Sequence, residues 1–208
     1  MLEPCLVAGT ISYLLGSIPF GLILLLVFRG VDVRQKGSGN IGAANVARIA
    51  PGLGLLTLLL DAAKGFAGVM IAGVIVSHSP GIERGRGYIV LGTSALCAVA
   101  GHMVSVWLRF RGGKGIATGL GACLALLPIT AGLALLVYVL VFASWRYSSL
   151  ASITAAFVFP MLAYVIKEPN AVSLMPFLCA LSLVTIAKHH QNVRRLLSGT
   201  ESRFALRH

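Results

Sequence analysis

The sequence predicts an all-α integral membrane protein, a multi-span helical bundle forming one domain over residues 1–208. Three observations predict it. Of 208 residues, 57% are hydrophobic and only 11% are charged, with a mean hydropathy of +0.90. That leaves too little polar side chain to cover a soluble surface. The first apolar run, residues 6–28, is 23 residues without a charge, long enough to cross a bilayer at about 1.5 Å per residue. Basic loops then alternate with apolar runs to the end of the chain.

Taken in order, the first run has only Glu3 before it, so it reads as a retained span rather than a cleaved signal. Residues 29–50 carry Arg29, Arg34, Lys36 and Arg48 against Asp32. Apolar runs follow at 53–76 and 88–108, separated by a nearly balanced loop with Glu83, Arg84 and Arg86. Arg109, Arg111 and Lys114 come next, and the tail from Lys188 is basic again. The positive-inside rule places the 29–50 loop, the 109–115 loop and the tail in the cytoplasm, with Met1 outside. Residues 116–187 must then cross an even number of times. Breakers at Pro128, Trp145-Arg146 and residues 167–170 cut four pieces, the first one short. The expectation is seven transmembrane helices, an external N-terminus and a cytoplasmic C-terminus; five spans is the alternative.

The net charge of +11 comes from 17 Lys+Arg against 6 Asp+Glu. On a soluble domain it would point to nucleic acid. Here no basic stripe is interleaved with aromatics, so no nucleic-acid partner is expected. The cations fit positive-inside topology and an anionic substrate or lipid headgroup. Cys5, Cys97, Cys123 and Cys179 are scattered without ligand spacing and read as small apolar helix residues, so no metal site is expected.

Three polar stretches fall on the predicted cytoplasmic side. The first is "GSGNIGAANVAR", Gly37 to Arg48. Gly37 and Gly39 permit close backbone approach. Ser38, Asn40 and Asn45 offer neutral hydrogen-bonding groups, and Arg48 a fork suited to phosphate. A helix from Ile41 would add an anion-binding N-terminus; the plainer reading is a tight turn. The second is "RFRGGKGIATG", Arg109 to Gly119. It lacks the spacing of a nucleotide P-loop. Gly112, Gly113 and Gly115 nevertheless bring backbone N–H groups to a ligand, Lys114 adds a point charge, and a helix begins at Ile116. His102 and Thr118, on either side, join the substrate-binding candidates, although a lone histidine is as readily a packing residue. The third is "KHHQNVRRLLSGTESR", Lys188 to Arg203, with His189 and Asn192 at i and i+3. Asp61 and Lys64, also i and i+3, sit inside the second span, where charges are costly; they are read as a structural pair. Small polar groups, cations and backbone donors converging at a membrane surface fit a phosphorylated soluble substrate meeting an acyl chain.

In order and spacing the three stretches resemble the motifs of the bacterial acyl-phosphate:glycerol-3-phosphate acyltransferases (PlsY family), across the whole chain. The resemblance implies a seven-span enzyme of the bacterial cytoplasmic membrane with a cytoplasmic active site. It implies transfer of a fatty acyl group from acyl phosphate to glycerol 3-phosphate, giving lysophosphatidic acid without a cofactor or metal, and a functional partner that produces acyl phosphate. Ser38 and Arg48 match the first motif's essential pair. Lys114 and its glycines match the glycerol-phosphate loop. His189 and Asn192 match the third motif's activity residues, and Glu201 its structural glutamate. Ala44 stands where threonine is usual, and Ser105 where proline is common. Two rivals remain. An anion transporter or channel would use Asp61, Lys64 and the glycine breaks. An acyltransferase of the histidine-x4-aspartate kind needs an acid five residues after a histidine; His102, His189 and His190 lack one, and His78 with Glu83 lies in a loop expected outside.

Overall fold

The structure is a computed structural model and describes residues 2–79 and 84–204. Met1, Glu83 and His208, which enter the topology and rival-acid arguments, lie outside the described residues. All regular structure among the described residues is helical. The helices are α1 (Leu2–Ser17), α2 (Phe20–Arg29), α3 (Ala43–Ile49), α4 (Pro51–Ser77), α5 (Arg84–Met103), α6 (Ile116–Leu126), α7 (Pro128–Trp145), α8 (Ser148–Ile166), α9 (Ala171–Lys188) and α10 (His190–Leu197). They group into two compact units, 1–126 and 127–208.

Six segments among the described residues are long and apolar enough to cross a membrane: Leu2–Arg29, Pro51–Ser77, Arg86–Leu108, Pro128–Trp145, Ser148–Ile166 and Ala171–Lys188. The seventh apolar segment, α6, has 11 residues. At about 1.5 Å per residue it is roughly half as long as the hydrocarbon core is thick. The breakers read from the sequence act as helix punctuation. Pro51 and Pro128 open α4 and α7 at their first turns, where a missing N–H costs nothing. Gly30, Arg146 and Lys167 close α2, α7 and α8 in the left-handed conformation. The first apolar run departs from expectation. It is not one helix: the chain unwinds at Ile18–Pro19, because proline has no N–H to give back to the preceding turn.

The first unit is packed through small residues. A methyl on Gly16 would overlap the Ala98 carbonyl, and one on Gly101 the Tyr13 carbonyl, so α1 and α5 touch backbone to backbone. Gly65 and Gly121 bring α4 and α6 together in the same way. Lipid offers little hydrophobic drive between helices, and such close approach supplies dispersion contact instead. Ser12 and Ser94 hydrogen-bond each other, and both hydroxyl oxygens lie 3.2 Å from the Gly68 carbonyl, which accepts from whichever is not donating to its neighbour, so α1, α4 and α5 are joined. Leu22, Leu25, Val33, Ile41, Val46, Ala50 and Leu108 form a buried apolar cluster beneath the loops.

In the second unit α8 packs against both α7 and α9. Tyr138 meets Ser148 at 3.0 Å, and Ser182 donates to the Ala156 carbonyl at 2.7 Å. The chain after α10 returns: Phe204 N donates to the Arg146 carbonyl at 2.8 Å. Glu168 caps α7 from the α8–α9 turn. Its carboxylate accepts from Ile129 N (3.1 Å), Thr130 N (2.9 Å) and Thr130 Oγ1 (2.8 Å), and the residue is 8% exposed. An anion at a helix N-terminus satisfies donors that nothing else in an apolar surround could. Glu168→Ala should therefore lower stability by about 2 kcal/mol, and Glu168→Gln by less. Unfolding in detergent checks this; an unchanged Glu168→Ala transition would remove the cap from the account.

Candidate functional site

The 37–48 stretch is a loop built on Asn45. This side chain is 2% exposed. Its Oδ1 accepts from Ser38 N at 3.0 Å, and its Nδ2 lies 3.3, 3.0 and 2.9 Å from the carbonyls of Val33, Lys36 and Asn40. Asn45 is thus the clamp of the loop rather than a ligand contact. Gly37 has φ +56, and a methyl there would overlap Asn45 Oδ1. Gly39, at φ +70, donates to the Lys36 carbonyl at 3.0 Å. Asn40 Oδ1 accepts from Gly42 N at 2.8 Å. The helix starts at Ala43, two residues later than expected, and has only seven residues. The N–H groups of Ser38, Gly39 and Gly42 are therefore engaged inside the loop. What the loop offers a phosphate is the exposed Ser38 side chain and the half-buried Arg48 on α3.

The second loop is built on His102, which is 4% exposed at the end of α5. Gly113 N donates to the His102 carbonyl at 2.9 Å. A methyl on Gly112 would overlap that carbonyl, and one on Gly113 would overlap the imidazole Nε2. The loop lies flat on His102, which leaves no room for a side chain at either glycine. Gly115 has φ +77, the turn that starts α6 at Ile116 as expected. Lys114 stands half-buried between them. Thr118 is fully buried, and its carbonyl backs onto Gly65 of α4. That assigns it to helix packing, with no surface left for substrate.

Behind His102 lies the intramembrane pair. Lys64 Nζ is 2.7 Å from Asp61 Oδ1, donates to the Ile18 carbonyl at 2.7 Å, and is 3.0 Å from His102 Nδ1. The Phe20 ring lies 5.7 Å from the same ammonium. Asp61 is 1% exposed and Lys64 5%. Close by, Ser105 Oγ donates to the Ser17 carbonyl at 2.6 Å, and Tyr13 OH to the Val104 carbonyl at 2.7 Å. Ser105 has φ −68, the value a proline would impose, so the bend survives the departure noted in the sequence. Leu108 carries this loop onto the same apolar cluster as Ile41 and Val46 of the first loop. Beside it opens a cavity of about 550 Å³ lined by Arg34, Trp107, Leu108, Arg109 and Arg111.

The third stretch belongs to the second unit. His189, 2% exposed, caps α10, and its Nδ1 lies 2.8 Å from the Thr185 carbonyl. A carbonyl can only accept, so Nδ1 carries the hydrogen and Nε2 is the basic nitrogen. Asn192 Nδ2 donates to Glu201 Oε1 at 2.7 Å, which leaves its amide oxygen as an acceptor. Glu201 also takes Ser149 Oγ at 2.6 Å and Arg195 Nε at 2.6 Å. Glu201 orients rather than reacts. Ser149 went unseen in the sequence, because one serine at the head of an apolar run carries no signal. Among the described residues no group of three His, Cys, Asp or Glu is placed to hold a metal ion.

A glycerol-3-phosphate acyltransferase family model matches residues 6–199. A glycerol-3-phosphate acyltransferase of Trichlorobacter lovleyi is 44% identical over 194 residues, covering 93% of this chain and 94% of its own. One from Myxococcus xanthus is 45% identical over 196 residues, covering 93% and 96%. The crystal structure of PlsY (YgiH), an integral membrane glycerol 3-phosphate acyltransferase, in its glycerol 3-phosphate form aligns with a TM-score of 0.85 at 39% identity, over 97% of this chain and 96% of that one. Its lysophosphatidic acid form gives 0.84 at 38%, over 97% and 95%.

Burial is the largest influence on the Glu201 carboxyl and pushes its pKa up. The hydrogen bonds from Ser149, Asn192 and Arg195, with the Arg195 charge, outweigh it and hold the group below its ordinary 4.5. A carboxyl with a depressed folded pKa stabilises fully above its unfolded value and loses that contribution as pH falls through the folded value. The stability difference between wild type and Glu201→Gln should be constant above about pH 5 and shrink below about 4.5. Paired unfolding curves in detergent check it; a difference that grows on acidification would contradict the assignment.

Proposed function

The chain belongs to the glycerol-3-phosphate acyltransferase family, and from that premise we propose that it transfers a fatty acyl group from acyl phosphate to the sn-1 hydroxyl of glycerol 3-phosphate. Lysophosphatidic acid and inorganic phosphate are the products. The observation that carries this reading is Lys114. It is a cation held half-buried on a glycine loop, and that loop is bonded to the end of a membrane-spanning helix. A fixed charge there suits a phosphorylated acceptor meeting a lipid donor. The arginine-lined cavity nearby would raise the local concentration of anions.

The reaction joins the acceptor hydroxyl oxygen to the acyl carbon. The carbon–oxygen bond to phosphate breaks, and the hydroxyl proton leaves. Acyl phosphate is a mixed anhydride with a good leaving group, so positioning and charge neutralisation can supply much of the rate. In this reading Lys114 and Arg48 bind phosphate oxygens, and Ser38 donates a hydrogen bond. Asn192 accepts from the substrate hydroxyl through its amide oxygen. His189 Nε2, or a substrate phosphate oxygen, takes the proton. We place the enzyme in the bacterial cytoplasmic membrane with seven spans, an external N-terminus and its loops in the cytoplasm, supplied by an enzyme that makes acyl phosphate. A transport reading loses its best support, since Asp61 and Lys64 are locked to each other at 2.7 Å rather than lining a path.

Purified protein given palmitoyl phosphate and glycerol 3-phosphate should release lysophosphatidic acid and phosphate in equal amounts. Acyl-CoA turning over equally fast without phosphate would refute the donor assignment. Lys114→Ala should lower kcat/KM about ten- to a hundredfold, as loss of one charge-assisted contact. Gly113→Ala should raise KM for glycerol 3-phosphate because its methyl displaces the loop from His102. If both variants behave as wild type, the loop is only a membrane anchor.

A further inference from the structure

An ammonium group has three donors and no acceptor. At Lys64 the Asp61 carboxylate is an ion-pair contact at 2.7 Å without hydrogen-bond geometry to its Oδ1, while the Ile18 carbonyl and His102 Nδ1 lie at hydrogen-bond distance. At the third contact the imidazole nitrogen must accept. The Asp61 carboxylate is 3.7 Å from the same Nδ1, too far to take a hydrogen from it. A hydrogen on Nδ1 would point at the ammonium 3.0 Å away, which disfavours the Nδ1–H tautomer. The hydrogen of a neutral His102 therefore sits on Nε2. That is the atom against which Gly113 is packed, in the loop that carries Lys114.

We infer that Asp61 and Lys64 are positioning residues that hold His102 as its Nε2–H tautomer, so that His102 is a hydrogen-bond donor for the acceptor's phosphate beside the 112–114 loop. The inference rests on the function proposed above and adds the device that prepares its phosphate site. It inverts the usual arrangement. A carboxylate or carbonyl on Nδ1 makes Nε2 a base, as at His189. An ammonium on Nδ1 makes Nε2 a donor. The fold thus carries two buried histidines of opposite polarity, one suited to removing a proton and one to binding an anion without competing for that proton.

The test is nitrogen NMR of ¹⁵N-histidine-labelled enzyme in detergent near neutral pH, with the His102 signals assigned by their loss in His102→Gln. The Nε2–H tautomer is expected; the Nδ1–H tautomer or an imidazolium would overturn the inference. The double variant Asp61→Leu/Lys64→Met removes the donor to Nδ1 without leaving a lone buried charge. It should remain folded, show mixed His102 tautomers, and raise KM for glycerol 3-phosphate about tenfold with a smaller change in kcat. A merely structural pair would leave that KM unchanged in the folded double variant, which would also overturn the inference. Should the double variant not fold, the wild-type tautomer decides alone. A wild-type enzyme that makes no lysophosphatidic acid would instead refute the functional reading, so the two failures are distinguishable.

Discussion

A lysine ammonium buried in an apolar helix needs a counter-charge and hydrogen-bond acceptors, and the first unit is arranged around how Lys64 finds them. The counter-charge comes from its own helix, Asp61 one turn back. The second partner is the Ile18 carbonyl in the break after α1, which also accepts from Phe20 N at 3.1 Å. The third is the ring of His102, where α5 ends. Two helix ends in a membrane would each leave orphan backbone groups. Here each end supplies a partner to the same cation, and Ser105 and Tyr13 tie the remaining carbonyls at Ser17 and Val104. The His102 carbonyl then takes the N–H of Gly113. The 112–114 loop is thereby fixed to the membrane helices through a run of buried polar contacts. Breaking any one contact leaves a buried partner unpaired, which costs more than the bond itself is worth.

Close approach is the second constraint, and it explains most of the glycines that look functional. Gly112 and Gly113 leave room for His102, Gly37 leaves room for Asn45, and Gly65 and Gly121 leave room for helix backbones. None of these requires a ligand. The loops are already ordered by their own hydrogen bonds, so binding need not fund their ordering entropy. The consequence for chemistry is a shift from backbone to side chain. With the N–H groups of Ser38, Gly39, Gly42 and Gly113 already used, the phosphate contacts of the proposed reaction fall to side chains.

The fold was largely legible from hydropathy and breakers. The run read as 53–76 is α4 at Pro51–Ser77, and the start of α6 at Ile116 followed from the glycines before it. Such features are local, set by residues within one turn of each other. The break at Ile18–Pro19 was missed because its neighbours are as apolar as the rest of the run. Asn45 stands out in the sequence, but its clamping of the loop is not legible there. Its partners lie 5 to 12 residues back along a folded loop, and an amide that could bind a ligand can equally bind carbonyls. Ser149 meets Glu201 across 52 residues of sequence, and His102 meets Lys64 across 38. No periodicity encodes such pairs. They exist only once the helices have packed.

The two histidines show what that packing adds to residue identity. His102 and His189 are the same side chain, both buried, and the sequence distinguishes neither the tautomer nor the role of either. What separates them is the group on Nδ1: an ammonium in one case, a peptide carbonyl in the other. Each partner has a single hydrogen-bonding polarity, so each dictates the state of the ring it touches. Placing Lys64 behind His102 leaves no acceptor for a hydrogen on Nδ1 at that contact, whereas the Thr185 carbonyl behind His189 leaves no donor. The costly intramembrane lysine is in this way what sets the direction in which the His102 ring can hydrogen-bond.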